Sequence, residues 1–395
     1  MAPRAQIRPR AREFFPVVLG CALAGAPASA GAQVPEVAEA PAPAAPYREA
    51  VDSARSILRT LMAVEAIPGL SVAVGRGGRI LWSEGFGWAD LEHGVPVTPL
   101  TRFRVGSVSK PITAAALLLL VEEGRVELDA PVRRYVAEFP EKRWTVTPRQ
   151  LGGHVAGVRH YRDDEFLNSE RYGSVTEGLR IFARDTLLFE PGTDYSYSSY
   201  GWNLLSAVVE RASGEAFLPH MRRRVFEPLG MRGTVAGHTD SIIAHRTGYY
   251  RRSDDWRVLN AEFVDNSYKW AGGGFLSTAE DLVRFGAAHL EPGFLHPESL
   301  ERLFTSQVLS NGDKTGYGIG WRVDTNARGE ELVHHTGGSV GGRTVLWIDR
   351  DRGMVVAALA NLSEAPIEPE LAEAIAELFL VAGADASTRG AGPGW

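Results

Sequence analysis

A single cysteine, Cys21, stands in 395 residues, which excludes an intrachain disulfide framework and any cysteine-built metal site. Lysine is also scarce: of 42 basic side chains only Lys110, Lys142, Lys269 and Lys314 are lysines, against 38 arginines. Net positive charge is missing too. A formal charge of -6 with a pI near 6.0 offers no field for nucleic acid or anionic lipid, and neither is expected as a partner. No apolar run is fit to span a membrane as a helix, because that of residues 14–24 is short and broken by Pro16. There are no internal repeats, and no linker-like stretch interrupts residues 48–381. What remains, 44% hydrophobic and 23% charged residues, is the make-up of an ordinary globular enzyme.

The two ends read differently from the middle. Arg4, Arg8, Arg10 and Arg12 precede the apolar residues 14–24, and Ala28-Ser29-Ala30 offers a small-residue cleavage site. This predicts a signal peptide over 1–30 and export to the periplasm or medium. Lipidation at Cys21 and an organelle-targeting peptide are weaker readings, since the run before Cys21 is short and the arginines stand apart from it. Residues 31–46 are Ala/Pro-rich and read as a linker, and residues 382–395 as a flexible tail.

Between them, residues 47–66 carry a helical apolar stripe that ends at Pro68-Gly69. Residues 70–74 and 79–83 alternate as strands about Gly77-Gly78, a turn that suits a tight hairpin. Residues 112–121 are apolar on nearly all sides and read as a buried central helix stopped by Gly124. Short helical patterns punctuated by Pro131, Pro140, Pro148 and Pro191 predict a mainly helical subdomain over roughly 125–235. Strands return at 317–323, 331–335, 344–348 and 354–359, and an amphipathic helix closes the chain at 369–381. The expected architecture is α+β, an antiparallel sheet flanked by terminal helices with a helical subdomain added.

The central helix opens on Ser107-Val108-Ser109-Lys110. A serine and a lysine three positions apart share one helix face within hydrogen-bond reach. The positive end of the helix disfavours an ammonium, so Lys110 is expected to be partly neutral and able to take the proton of Ser107, the activation a hydroxyl nucleophile needs. A lysine leading into a buried helix is costly unless used. Two further stretches accompany this pair: Tyr195-Ser196-Tyr197-Ser198-Ser199, a polar turn before a helix, and His335-Thr336-Gly337-Gly338, at the end of a predicted strand. Other matches carry less. Lys314-Thr315-Gly316 precedes a strand rather than ending one; Gly337-Gly338-Ser339-Val340-Gly341 lacks the strand-to-helix setting of a nucleophile elbow and reads as a turn. His154 and His160 read as packing residues, not zinc ligands.

In order and spacing, Ser107-x-x-Lys110, Tyr197-x-Ser199 and His335-Thr336-Gly337 resemble the three signatures of the penicillin-recognising serine hydrolases, in particular the class C β-lactamase and DD-peptidase group. Residues 136–142, 157–161 and above all 264–278 resemble the mitochondrial serine β-lactamase-like branch, reputed peptidases that can assemble into filaments; the arginine-rich composition and the leader suit a bacterial member. The resemblance implies a β-lactamase/transpeptidase-like fold and a serine hydrolase working through an acyl-enzyme on a peptide or amide. It also implies that no metal or cofactor takes part and that a homo-oligomer or filament can form. A carboxylesterase with the same Ser/Lys/Tyr set, or a filament-forming scaffold with residual activity, are the alternatives. It gives Ser107, Lys110 and Tyr197 the catalytic roles and the N–H groups of Ser107 and Gly338 the oxyanion hole. His335 and Thr336, with Gly337 beside them, are implied to bind substrate; Ser199, in the polar turn before a helix, is placed to project into the cleft with Tyr197, and Lys269 and Trp270, in a polar loop, read as a substrate-binding cleft wall, with packing as the alternative. Ser199 stands where many members carry asparagine, and His335 replaces the lysine of β-lactamases, which weakens the fixed charge for an antibiotic carboxylate.

Overall fold

The computed structural model describes residues 45–390 apart from 292 and 326–328; the expected leader and all but the last two residues of the expected linker lie outside them. Helix α1, Arg48–Glu65, stops at Ala66 in the left-handed conformation, just ahead of Pro68. Strands β1, Gly69–Arg76, and β2, Arg79–Asp90, form the predicted hairpin. Gly77 and Gly78 supply its turn with φ of 54° and 72°, values that cost a side chain strain and glycine none. A short strand β3, Val95–Pro96, borders β2.

The rest of the main sheet comes from the far end of the chain. Strands β4, Arg322–Thr325, β5, Glu331–Ser339, β6, Gly342–Asp349, and β7, Met354–Ala360, are antiparallel neighbours. The sheet order is β3-β2-β1-β7-β6-β5-β4, closed where β1 pairs with β7. Strand β7 is buried throughout, and its side chains alternate between two cores. Met354, Val356 and Ala358 join Val51, Leu58 and Phe379 under the terminal helices, whereas Val355, Ala357 and Leu359 meet the core of the central helix. A period of two with both faces apolar is what a strand sandwiched between helical layers requires.

The central helix α2, Ser109–Glu122, is buried along residues 109–120, as its lack of a polar face predicts. Between Arg125 and Thr234 all regular elements are helical, including α3, Ser199–Ser213. Helix α4, Ala279–Ala287, packs against the sheet. The closing helix α5, Pro369–Gly390, continues past Val381, so residues 382–390 of the expected tail are helical, and residues 391–395 lie outside the described residues. A second correction concerns the strand expected at 317–323: only Arg322 onward pairs with β5. Gly318 lies so close to Leu303 that a Cβ would sit 1.9 Å from its carbonyl oxygen, and Gly320 has φ of 81°; these approaches bend the segment out of the ladder.

Asn361, fully buried just after β7, ties three segments together. Its Oδ1 accepts from Gly69 N–H at 2.8 Å, and its Nδ2 donates to the Trp88 carbonyl at 3.0 Å and to Thr247 Oγ1 at 2.9 Å. Because its loss strands several buried polar groups at once, Asn361→Ala should lower unfolding stability by about 3 kcal/mol. Urea denaturation followed by tryptophan fluorescence measures it; a change below about 1 kcal/mol contradicts the argument.

Candidate active site

Ser107 sits in a single 3-10 turn, Gly106–Val108, that runs into α2. The first hydrogen bond of that turn goes from Val108 N–H to Val105 O, so the Ser107 N–H precedes any acceptor within the turn. Strand β5 passes directly beside it. A Cβ on Gly337 would lie 2.0 Å from Val105 O, and one on Gly106 would lie 2.6 Å from Gly338 O. Both positions exclude a side chain, so Gly337 is needed for close packing here, and only its backbone could meet a substrate. In the hairpin between β5 and β6, Ser339 opposes Gly342 across a two-residue turn, and Gly338 opposes Arg343. The pair flanking such a turn is hydrogen-bonded and the next is not, so Gly338 N–H points away from β6. Strand β4 pairs only with residues 331–334 of β5, which leaves that N–H open beside Ser107.

Lys110 is wholly buried. Its Nζ is 2.9 Å from Ser107 Oγ, 3.0 Å from Ser199 Oγ and 2.8 Å from the Gly272 carbonyl. No carboxylate is among these partners. Burial, then the charges of Lys269 and Arg322, holds its pKa well below the ordinary lysine value. A neutral amine has two N–H bonds and one lone pair, and the Gly272 carbonyl can only accept. With Ser199 as the second acceptor, the lone pair faces Ser107.

Tyr197 lies over the same amine, its ring centroid 4.8 Å from Lys110 Nζ. Burial raises its pKa, so it is a proton donor and not a phenolate at rest. Two histidines shape this wall. His154, held at φ of 63°, stacks on Tyr197 at 4.2 Å and accepts the Ser198 N–H through Nδ1; His160 accepts the Ser199 N–H at 3.1 Å. Burial lowers both, His160 to about 4, so both are neutral acceptors near pH 7. Ser198 caps α3 by accepting from Gly201 N–H and donating to Arg159 O. The polar turn foreseen before a helix is thus fixed by backbone bonds that no motif spelled out.

Other expected binding residues are placed differently. His335 donates from Nδ1 to the Thr336 carbonyl at 2.6 Å and accepts the Tyr317 hydroxyl at Nε2, 2.8 Å away. Burial holds it neutral, and neither ring nitrogen is left for a substrate carboxylate. Thr336 shares the strand face of His334 and lines a separate hollow with Arg322 and Asp324. Trp270 packs on His238 at 4.9 Å and lines another hollow with Phe217. Lys269 does reach the cleft. That cleft, of about 440 Å³, is lined by Ser107, Tyr161, Ser199, Lys269, Gly338 and Arg343 among others. Tyr161 and Arg343 carried no motif signal; Tyr161 lies in a phrase that the resemblance singled out without giving it a task.

The family model for β-lactamase matches residues 54–379. The chain belongs to the β-lactamase family. Human mitochondrial serine beta-lactamase-like protein LACTB is 31% identical to this family member over 80% of the chain and 77% of its own length. Penicillin-binding protein 4* of Bacillus subtilis (strain 168) is 28% identical, over 74% of the chain and 68% of its own length. The octameric penicillin-binding protein homologue from Pyrococcus abyssi superposes with a TM-score of 0.72 at 26% identity, over 84% of the chain and 77% of its own. The α+β fold is that of β-lactamases and transpeptidases, and the family is one of serine hydrolases.

Lys269 is nearly as buried as Lys110, with Phe166 at 4.5 Å and the rings of Tyr161 and Tyr268 at 5.2 Å. Burial, then Arg104, pushes its pKa from 10.5 down to about 7. Between these two values the unfolded chain holds the extra proton, so Lys269 makes stability rise with pH across that window. With only four lysines, spectra of protein carrying 13Cε-lysine resolve each one. The Lys269 signal should titrate near 7 and that of Lys110 well below the ordinary lysine range; titration of both within that ordinary range would contradict the geometry.

Proposed function

We propose that this protein hydrolyses a peptide or other amide through an acyl-enzyme on Ser107. The observation that carries the reading is the 2.9 Å contact between Ser107 Oγ and a buried Lys110 amine whose other partners are a hydroxyl and a carbonyl. Lys110 takes the Oγ proton as Oγ bonds to the substrate carbonyl carbon. The oxygen that becomes negative is received by the N–H groups of Ser107 and Gly338. On collapse the carbon–nitrogen bond breaks, and the departing amine takes a proton from Lys110 by way of Tyr197. Water then attacks the ester, giving one proton to Lys110, and the acid leaves as Ser107 Oγ regains it.

An ester would follow the same steps with an easier leaving group, so carboxylesterase activity is the companion reading. A directed proton for a poor leaving group, which the Lys110 and Tyr197 pair can supply, favours amides. His335, neutral and fully bonded, supplies no fixed charge for a β-lactam carboxylate, so slow turnover of penicillins is expected. Export rests on the pattern of residues 1–30, whereas the LACTB relative is mitochondrial by name. The Pyrococcus abyssi homologue is octameric, which supports a homo-oligomer here, and a filament belongs to the scaffold alternative.

Intact-protein mass spectrometry after exposure to a fluorophosphonate and, separately, to a penicillin tests the proposal. Wild type should gain one adduct that Ser107→Ala lacks, and Lys110→Met should slow phosphonylation by about a hundredfold or more. Well-folded wild type that gains no adduct from either reagent defeats the hydrolase reading, and a cellular effect surviving Ser107→Ala would favour a scaffold.

A further inference from the structure

The departing amine leaves toward its proton donor, Tyr197, so the acyl part that stays on Ser107 occupies the space on the other side. That space is the cleft of about 440 Å³, which Ser107, Ser199 and Gly338 border and whose walls do not include Tyr197, His335 or Thr336. Its charged walls are unbalanced. Glu262 pairs with Arg251 at 2.9 Å, and Glu364 accepts the Arg252 N–H at 2.9 Å, so both carboxylates that line the cleft are engaged. Lys269 is almost wholly buried and meets the rings of Tyr161, Phe166 and Tyr268. Among the described residues neither Lys269 nor Arg343 has a carboxylate partner, an arrangement that is costly for a buried lysine unless an anion arrives.

We infer that Arg343 is a specificity-determining residue: its guanidinium fork holds a carboxylate carried on the acyl part of the substrate, with Lys269 as a second cation in the same cleft. This rests on the hydrolase reading above. Arg343 opposes Gly338 across the β5–β6 hairpin, and its guanidinium turns back over that glycine, so that a Cβ at 338 would stand 3.3 Å from Nη1. The residue whose N–H receives the oxyanion therefore also makes room for the fork. The Arg343 Nε donates to the Ser363 carbonyl at 2.8 Å, and Ser363 is itself fixed, its Oγ accepting the Gly341 N–H at 2.7 Å. With Nε anchored, Nη1 and Nη2, for which the described residues supply no acceptor, are left for a ligand. Two parallel N–H donors in one plane match the two oxygens of a carboxylate.

Other acyl parts meet these walls badly. A free amino group would face Arg343 and Lys269 as a like charge. A wholly apolar chain would strip water from the guanidinium without replacing its hydrogen bonds. The place also differs from the one that the resemblance implies for an antibiotic carboxylate, because the His335 ring is turned to Tyr317 and Thr336 lines a separate hollow.

The test uses three alkyl fluorophosphonates with the same short chain, ended by a carboxylate, a carboxamide or an ammonium, and reads the second-order rate of Ser107 phosphonylation on the full chain. Wild type should react with the carboxylate probe about tenfold or more faster than with the carboxamide, and slowest with the ammonium. Arg343→Gln should bring the carboxylate-to-carboxamide ratio within about twofold of unity. Arg343→Lys, which keeps the charge and loses the fork, should restore only part of that ratio. A ratio taken on one protein cancels any loss of folded fraction, and melting temperatures check folding separately. If wild type reacts with the probes but does not prefer the carboxylate, or if Arg343→Gln keeps the preference, the inference falls and the hydrolase reading stands. A wild type inert to all three overturns both.

Discussion

A lysine amine without a carboxylate, sealed in the centre of the molecule, is the constraint on which the site depends. An ammonium in that position is disfavoured by burial and by the cations Lys269 and Arg322, so the group is held as a base by its surroundings. The cost is met by using every valence: a carbonyl, a hydroxyl, and the serine it serves. The apolar sheath of α2 follows from the same requirement, because water reaching Lys110 would restore the ammonium.

Packing makes that burial compatible with access. The start of α2 and strand β5 approach closely only because Gly106 and Gly337 have no side chains. That approach sets the Ser107 and Gly338 N–H groups side by side at the one place where the β5 edge has no neighbouring strand. A methyl group at either glycine would push the two elements apart and separate the pair of donors before it touched any substrate.

Much of this was legible in the residues. The α2 helix announces itself by an apolar surface without a polar face, the β1–β2 hairpin by Gly77-Gly78, and the core of the site by Ser107, Lys110, Tyr197 and Ser199, which the fold brings together. What misled was direction. Nothing in the letters His335-Thr336 says that one side chain turns inward to Tyr317 and the other to the opposite face of β5, because strand alternation fixes faces only once the register is known. Trp270 follows Lys269 in sequence but packs elsewhere. The stretch 317–323 has the alternation of a strand, yet Gly318 and Gly320 are pinned by contacts with Leu303 and the central helix that no local pattern contains.

The closure of the main sheet carries a consequence for how the molecule is made. Strand β1 has β7 as its inner neighbour, with Leu70 opposite Ala360, so the β1–β2 hairpin keeps an open edge until a strand that follows the whole helical subdomain has emerged. The serine-bearing helix, synthesised early, likewise has no complete sheet to rest on until then. Synthesis therefore leaves a long interval in which an apolar helix and an unpaired strand edge coexist, the pairing of distant segments that slows folding and exposes intermediates to aggregation.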